Sequence, residues 1–405
     1  MIVDKKKYYS WVLYDWANSA YATIVLAGFF PIIFSNYYAD ILPSGMRTLL
    51  LGISNSSASL LLIILAPFLG LISDRYGDKK KFLLFFASVS ITSTLLLVVV
   101  DRDSWAIASI LFSISVLGFM LSNVFYDSMI MNFNEKKFRN TISSYGYAFG
   151  YLGGGIAFII AILVVLFSGS NIEIIQNKKI SFLIASLWWL LFMIPLILYW
   201  KEPNQLSNVK KVFLKDTFIE IFNNKHIFYF LLAYWTYIDG VDTIIRMAVN
   251  YGITLGFNQY DLLLALLIVQ FVSFPGTLFI NFLANRTSTE TGIIFCILLY
   301  MVITLFATVI DSLVGFYSIA VSIGIVQGGI QALSRSYFAN IIPQSRDSEF
   351  FGIYNMLGKF AALIGPLLVG LITYLTDSSR LGISSIILLF IIGLFLMIKV
   401  KQINT

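Results

Sequence analysis

Histidine and cysteine are almost missing from this chain. Its 405 residues include one histidine, His226, and one cysteine, Cys296. One cysteine excludes an intrachain disulfide, and its place within an apolar run marks it as a small core residue. One histidine excludes a metal site built on several imidazoles and leaves no His-based triad. No G-x-x-x-x-G-K-[ST] stretch occurs, so there is no P-loop to drive an ATP engine. Charge is scarce as well. Charged residues make up 12% of the chain, against about 25% in an average soluble domain.

What fills the space is apolar. Hydrophobic residues reach 59% and mean hydropathy is +0.86. A soluble globule of this size could not hide so much apolar surface. The apolar runs are continuous rather than alternating, which excludes a membrane β-barrel and leaves helices. No cleavable signal is expected, because the first apolar segment is too long for a signal h-region.

A helix needs about 20 apolar residues to cross the hydrocarbon core. That ruler marks twelve spans, near 11–38, 47–73, 82–100, 104–126, 140–168, 180–200, 226–254, 260–284, 288–308, 312–334, 349–376 and 381–399. Five of the 27 Lys and Arg residues fall in one set of loops: Arg47, Arg102, Lys178, Lys179 and Arg380. Arg246 and Lys359 fall within spans, and the other twenty lie on the opposite side. By the positive-inside rule that side, with both termini, is expected to be cytoplasmic. The same bias accounts for the net charge of +6 without a nucleic-acid partner. The longest polar stretch, "KEPNQLSNVKKVFLKDTFIEIFNNKH", follows the sixth span. It reads as a cytoplasmic linker with a short amphipathic helix over Val212 to Phe222. The expected organisation is a six-helix bundle over 1–200, a linker over 201–225 and a second six-helix bundle over 226–405.

The halves share a pattern. "YDWANSAYA" opens the first with Asp15 and Asn18, and "IDGVDTIIR" opens the second with Asp239 and Asp242, each D-x-x-[N/D]. The fourth spans end alike, "NVFYDSMIMNF" beside "QALSRSYFANI", and the fifth spans align Tyr145 with Tyr354. Two duplicated bundles around a central cavity are the design of a rocking carrier. "GLISDRYGDKK", Gly70 to Lys80, resembles the major facilitator superfamily signature G-x-x-x-D-R-x-G-R-R between the second and third helices. The second-half copy, "NFLANRTS", is eroded to Asn285 and Arg286. "YDWANSAYAT", "DGVDTIIRMAVNYG" and "GGIQALSRSYFANIIPQSRDSEFFGIYNMLGKFAALIGPL" resemble the branch that includes fungal vacuolar amino-acid effluxers and many bacterial permeases. The resemblance implies small-molecule transport, and it implies that Asp74 sits near the start of the eleventh helix, where the helix dipole favours an acid.

Ionised residues inside spans are costly and usually face water or a partner. Asp15 and Asn18, at i and i+3, share a face. They read as a cavity patch near the cytoplasmic mouth, or as a helix-start cap or gate acid. Asp239, Asp242 and Arg246 form one stripe, which reads as a substrate, ion or proton site or as a structural ion pair. Lys359 has nothing acidic nearby in the chain. It therefore needs an anion from another helix or from the solute, or else loses its proton. Tyr145, Asn355 and Gln270 complete the expected binding set, and Gln327, Gln331, Asn123 and Asn250 are further in-span amides. Asp74, Arg75, Asp127 and Arg335 read as conformational-switch charges. "YLGGGIA" lacks the strand-then-helix context of a nucleotide loop and reads as close helix packing.

The expectation is a secondary active transporter. It would move an amino acid or small organic anion by alternating access, with proton coupling through Asp239 or Asp242, in a bacterial inner membrane or an organelle membrane. No metal, cofactor or enzymatic activity is expected. Two rivals are weighed: efflux of amphipathic drug-like or lipid-like compounds, against which the in-span charges argue, and a membrane enzyme or non-transporting sensor, against which the lack of a convergent catalytic set and the short linker argue.

Overall fold

The computed structural model describes residues 4–133, 135–167, 178–202 and 213–404. They form twelve long helices: α1 (Lys5–Tyr38), α2 (Ser44–Tyr76), α3 (Lys79–Val99), α4 (Trp105–Ser128), α5 (Arg139–Phe167), α6 (Ile180–Tyr199), α7 (Lys225–Thr254), α8 (Gln259–Arg286), α9 (Thr289–Ala307), α10 (Leu313–Ile341), α11 (Asp347–Thr376) and α12 (Ser379–Ile403). Eleven are long and apolar enough to cross a membrane. The exception, α7, runs 30 residues but carries Asp239, Asp242 and Arg246. The chain is thus an all-α integral membrane protein. Residues 203–212 of the expected linker lie outside the described residues. The short amphipathic helix follows them as Leu214–Asn223, shifted by one or two residues from its expected place.

The packing repeats. In the first half α1 lies against α5 and α6, α4 against α2 and α3, and α3 against α6. In the second, α7 lies against α11 and α12, α10 against α8 and α9, and α9 against α12. Adding six to each label of the first set produces the second. The halves exchange contacts in the same way, α2 with α11 and α8 with α5. Both ends of the chain lie on one face, the terminal face, where the Lys7 ammonium stands 4.6 Å over the Trp200 ring and Lys399 bonds Tyr229.

Two local features position the centre. The middle of α1, Tyr21–Phe29, is π-helical, a rare geometry often found at functional sites. The Thr23 hydroxyl lies within this wide turn, 3.0 Å from Ser19 O and 3.1 Å from Gly154 O of α5. The glycines of "YLGGGIA" let α5 approach this closely. A Cβ added at Gly153 would stand 2.6 Å from the Trp16 ring. The run is a packing surface, in line with the sequence reading.

Gly153→Leu is therefore expected to cost about 1–3 kcal/mol of stability through overpacking, read as a lower unfolding temperature of the purified protein in detergent. Gly370, with nothing within 4 Å of its added Cβ, should accept leucine without loss.

Candidate solute site between the two bundles

A cavity of about 290 Å³ lies between the halves, lined from α1, α4 and α5 on one side and from α7, α8, α10 and α11 on the other. Its floor, towards the terminal face, is built on Arg335 of α10. This side chain is 1% exposed. Its guanidinium donates to Asp127 Oδ1 of α4 at 3.0 Å and stands 3.6 Å from Asp15 Oδ2 of α1. It also bonds Ser143 Oγ at 2.9 Å and Ser143 O at 3.0 Å on α5. The rings of Trp11, Tyr126 and Tyr147 lie 4.3–5.3 Å from its Cζ. Arginine suits this place because its planar cation stacks on aromatic faces while its fork reaches several acceptors. Tyr126 donates to Asp15 Oδ2 at 3.1 Å, and Asn355 donates to Asp127 Oδ2 at 3.1 Å.

Above the floor stand Asp242 and Lys359. Lys359 is twelve residues beyond Asp347 and so about 18 Å along α11. It lines the cavity and forms no ion pair among the described residues. The carboxylates whose charge acts on it are Asp242 and Asp127. Neutral polar groups fill in between: Asn18 donates to Asn123 at 2.6 Å, and Tyr151 donates to Gln331 at 2.7 Å.

Of the residues expected in the binding set, Asp15, Asn18, Asp242, Gln270, Asn355 and Lys359 line this cavity. Asp127 and Arg335, expected at helix ends as switch charges, line it too. Asp239, Arg246 and Tyr145 stand elsewhere. Asp239 is buried against α11, where it accepts the Gly365 N–H at 2.9 Å and the Thr243 hydroxyl at 3.4 Å. It thereby holds α7 to the backbone of α11 next to Pro366. Arg246 is exposed and pairs with neither aspartate, so the structural ion pair, one of the two readings of this stripe, does not form. Side chains on one stripe lie at different depths, and here each depth offers different surroundings. Tyr145 lies outside the cavity, packed near Tyr8 and Phe149. Tyr147 and Tyr151 take the cavity face instead. Their i, i+4 spacing was the available signal. The Asn250 side chain lies outside the described residues.

The terminal face is closed by the loop motif. Gly70 lets α2 touch α11, since an added Cβ would stand 2.3 Å from Ser348 O. Asp74 accepts the N–H groups of Ser348 at 3.1 Å and Glu349 at 2.8 Å, the free donors of a helix N-terminus. Gly77 turns the chain at φ 70°. Lys79, buried, pairs with Asp347 at 2.5 Å. Arg75 is exposed. Nothing in the sequence marked the Lys79–Asp347 pair, because its partners lie 268 residues apart.

A family model described as "Vacuole effluxer Atg22 like" matches residues 50–404. The chain belongs to the Atg22-like family. It is 37% identical over 404 residues to the uncharacterized MFS-type transporter YxiO of Bacillus subtilis, covering 97% of this chain and 94% of that one. It is 25% identical to autophagy-related protein 22 of Kluyveromyces lactis, over 78% of this chain and 71% of the relative. Among solved structures, human MFSD10 superposes with a TM-score of 0.76 at 13% identity, covering 98% of this chain and 100% of that one. FucP in its outward conformation gives 0.70 at 12%, covering 98% and 99%. The fold is that of the major facilitator superfamily, and this Atg22-like protein is a transporter of that type.

Arg335→Ala would leave two buried carboxylates without their cation, a change that typically costs about 3–5 kcal/mol. A marked fall in unfolding temperature is expected, with part of it recovered in the double variant Asp127→Asn/Arg335→Ala.

Proposed function

We propose that this Atg22-like protein is a secondary active transporter that moves a small zwitterionic or anionic solute, an amino acid or small organic acid, by alternating access. The observation that carries this reading is Lys359, an ammonium that faces the central cavity and has no protein ion-pair partner among the described residues. Asp242 faces the same space. A solute carboxylate would neutralise the lysine, and a solute ammonium would meet the aspartate. Gln270 and Asn355 would add orientation through neutral hydrogen bonds. A cavity lined by five Asp, Arg and Lys side chains favours a small polar solute over an amphipathic drug.

The bundles over 1–200 and 226–405 act as the rocking bodies, joined by 201–225. The terminal face is the cytoplasmic one, on the strength of the Lys and Arg bias, and the membrane is a bacterial plasma membrane, in keeping with the Bacillus relative. Asp74, Asp127 and Arg335 hold the cytoplasmic side shut, and Arg75 belongs to the same loop. Solute binding and release complete the cycle without chemical conversion.

Uptake into proteoliposomes from a panel of L-amino acids and small carboxylates tests the reading. At least one should be taken up saturably. Lys359→Met should raise its KM about tenfold or more, the loss of one charge-assisted hydrogen bond of about 1.5–3 kcal/mol. Asp242→Asn should discriminate against zwitterions and spare simple carboxylates. Unchanged kinetics in Lys359→Met would remove the central-site assignment.

A further inference from the structure

The linker helix, Leu214–Asn223, carries an apolar face that the described residues leave open. It packs on α7 and α2 and buries Thr217 and Ile221. At about 100° per residue, Lys215, Phe218, Ile219 and Phe222 share one sector, and Asp216, Glu220 and Asn223 share another. Phe218, Ile219 and Phe222 are 37%, 47% and 65% exposed. The acids sit outside this sector, and both are engaged. Asp216 accepts the Phe213 N–H at 3.0 Å, and Glu220 pairs with Arg346 at 2.5 Å. Lys215 and Lys225 are exposed and form no ion pair among the described residues. Lys210 and Lys211 come just before them in sequence, so the segment has free basic charge to match an anionic surface.

The depth of the helix points to what covers this face. Lys399 stands 4.0 Å over the Tyr229 ring, and Lys6 stands 5.4 Å over Tyr199, where α6 ends. Tyrosine rings with lysines reaching past them mark the membrane–water boundary. Phe228, beside Tyr229, is one turn into α7, and the Phe222 ring lies 5.4 Å from it. The open sector therefore turns towards the bilayer at boundary depth, and the acidic sector turns away. An interfacial helix has this arrangement, with apolar side chains among the upper acyl chains and lysines at the phosphates. We propose that the linker helix anchors the terminal face to anionic phospholipid, with Phe218, Ile219 and Phe222 inserted and Lys215 and Lys225 on the headgroup phosphates.

The protein side fixes this orientation. The Thr217 hydroxyl meets Glu349 and Arg346, and Arg346 Nε donates to Glu349 Oε2 at 3.0 Å. Glu349 is fully buried, and its N–H is one of the two held by Asp74. The anchor thus joins the leaflet to the turn of α11 that carries the loop-motif fastening. A second protein would have to cross the headgroup layer to reach Phe222. Neither the anchor nor its test depends on the transporter reading.

Single nitroxide labels introduced through Phe218→Cys, Phe222→Cys or Asn223→Cys, in a Cys296→Ala background, report which side of the helix lies in lipid. In nanodiscs of equal parts phosphatidylcholine and phosphatidylglycerol, the labels at 218 and 222 should collide with oxygen, which concentrates in the bilayer. The label at 223 should collide with a water-soluble nickel chelate. In phosphatidylcholine alone, the labels at 218 and 222 should become more open to the chelate. Lys215→Glu/Lys225→Glu should remove this difference between the lipids, about fivefold per lysine in the ratio of inserted to water-exposed helix. High salt should weaken it without any change at the lysines, because the headgroup charge is screened. Labels at 218 and 222 as open to the chelate as the label at 223 would overturn the proposal. So would insertion that is equal in the two lipids, or a lipid difference that survives charge reversal. Shielding of 218 and 222 that appears in detergent and grows with protein concentration would also overturn it, since a second copy of the chain would then be the occupant.

Discussion

A guanidinium enclosed between two carboxylates from the other half of the molecule is the interaction on which this structure depends. Arg335 reaches across the bundle interface to Asp127 and Asp15, and Ser143 and three aromatic rings complete its surroundings. Inside a membrane the cost of leaving any of these groups unpaired is high, so the halves either meet here in register or separate and let water in. Intermediate separations are penalised. That all-or-none character is what a carrier with two alternating openings requires.

The loop motif adds a second fastening on the same face, and the duplication of the fold shows how it is built. Asp74 caps the first turn of α11, and Lys79 pairs with Asp347. At the pseudo-equivalent corner the loop between α8 and α9 approaches the first turn of α5 with neutral groups. Asn285 bonds Thr141 at 3.2 Å, and Asn140 bonds Thr289 at 2.8 Å. The eroded second copy of the signature is thus an electrostatic difference between two corners that share one geometry. Arg139, which bonds Ala339 O at 2.7 Å, strengthens the neutral corner through backbone contacts.

The fold was legible because the bilayer imposes a length on every apolar run, and the twelve spans follow from that length alone. α7 stood out because polar residues interrupt it, and those same residues exclude it from the purely apolar set in the structure. The site was only partly legible. Lys359, Asp242 and Asp15 could be picked out as charges that pay to be in a membrane. Which acid meets which base could not, since the pairs join residues roughly 200 or more positions apart. Asp239 shows the limit well. It shares a helical stripe with Asp242, and spacing alone cannot tell that one meets the backbone of α11 beside a proline while the other meets open space. Tyr145 and Tyr147 differ by two residues, and the turn of the helix places the second in the cavity.

The most direct test of the account is a pair of interspin distances measured across the two faces, in a Cys296→Ala background so that only introduced cysteines are labelled. One pair, at Tyr76 and Asn223, spans the terminal face. The other, at Ile41 and Tyr260, spans the opposite face. Relative to the parent, Arg335→Ala is predicted to lengthen the terminal distance and to shorten the opposite one in the same sample. Two distances that move together, or that do not respond to loss of Arg335, would contradict a molecule held shut by that arginine and opened by rocking its two halves.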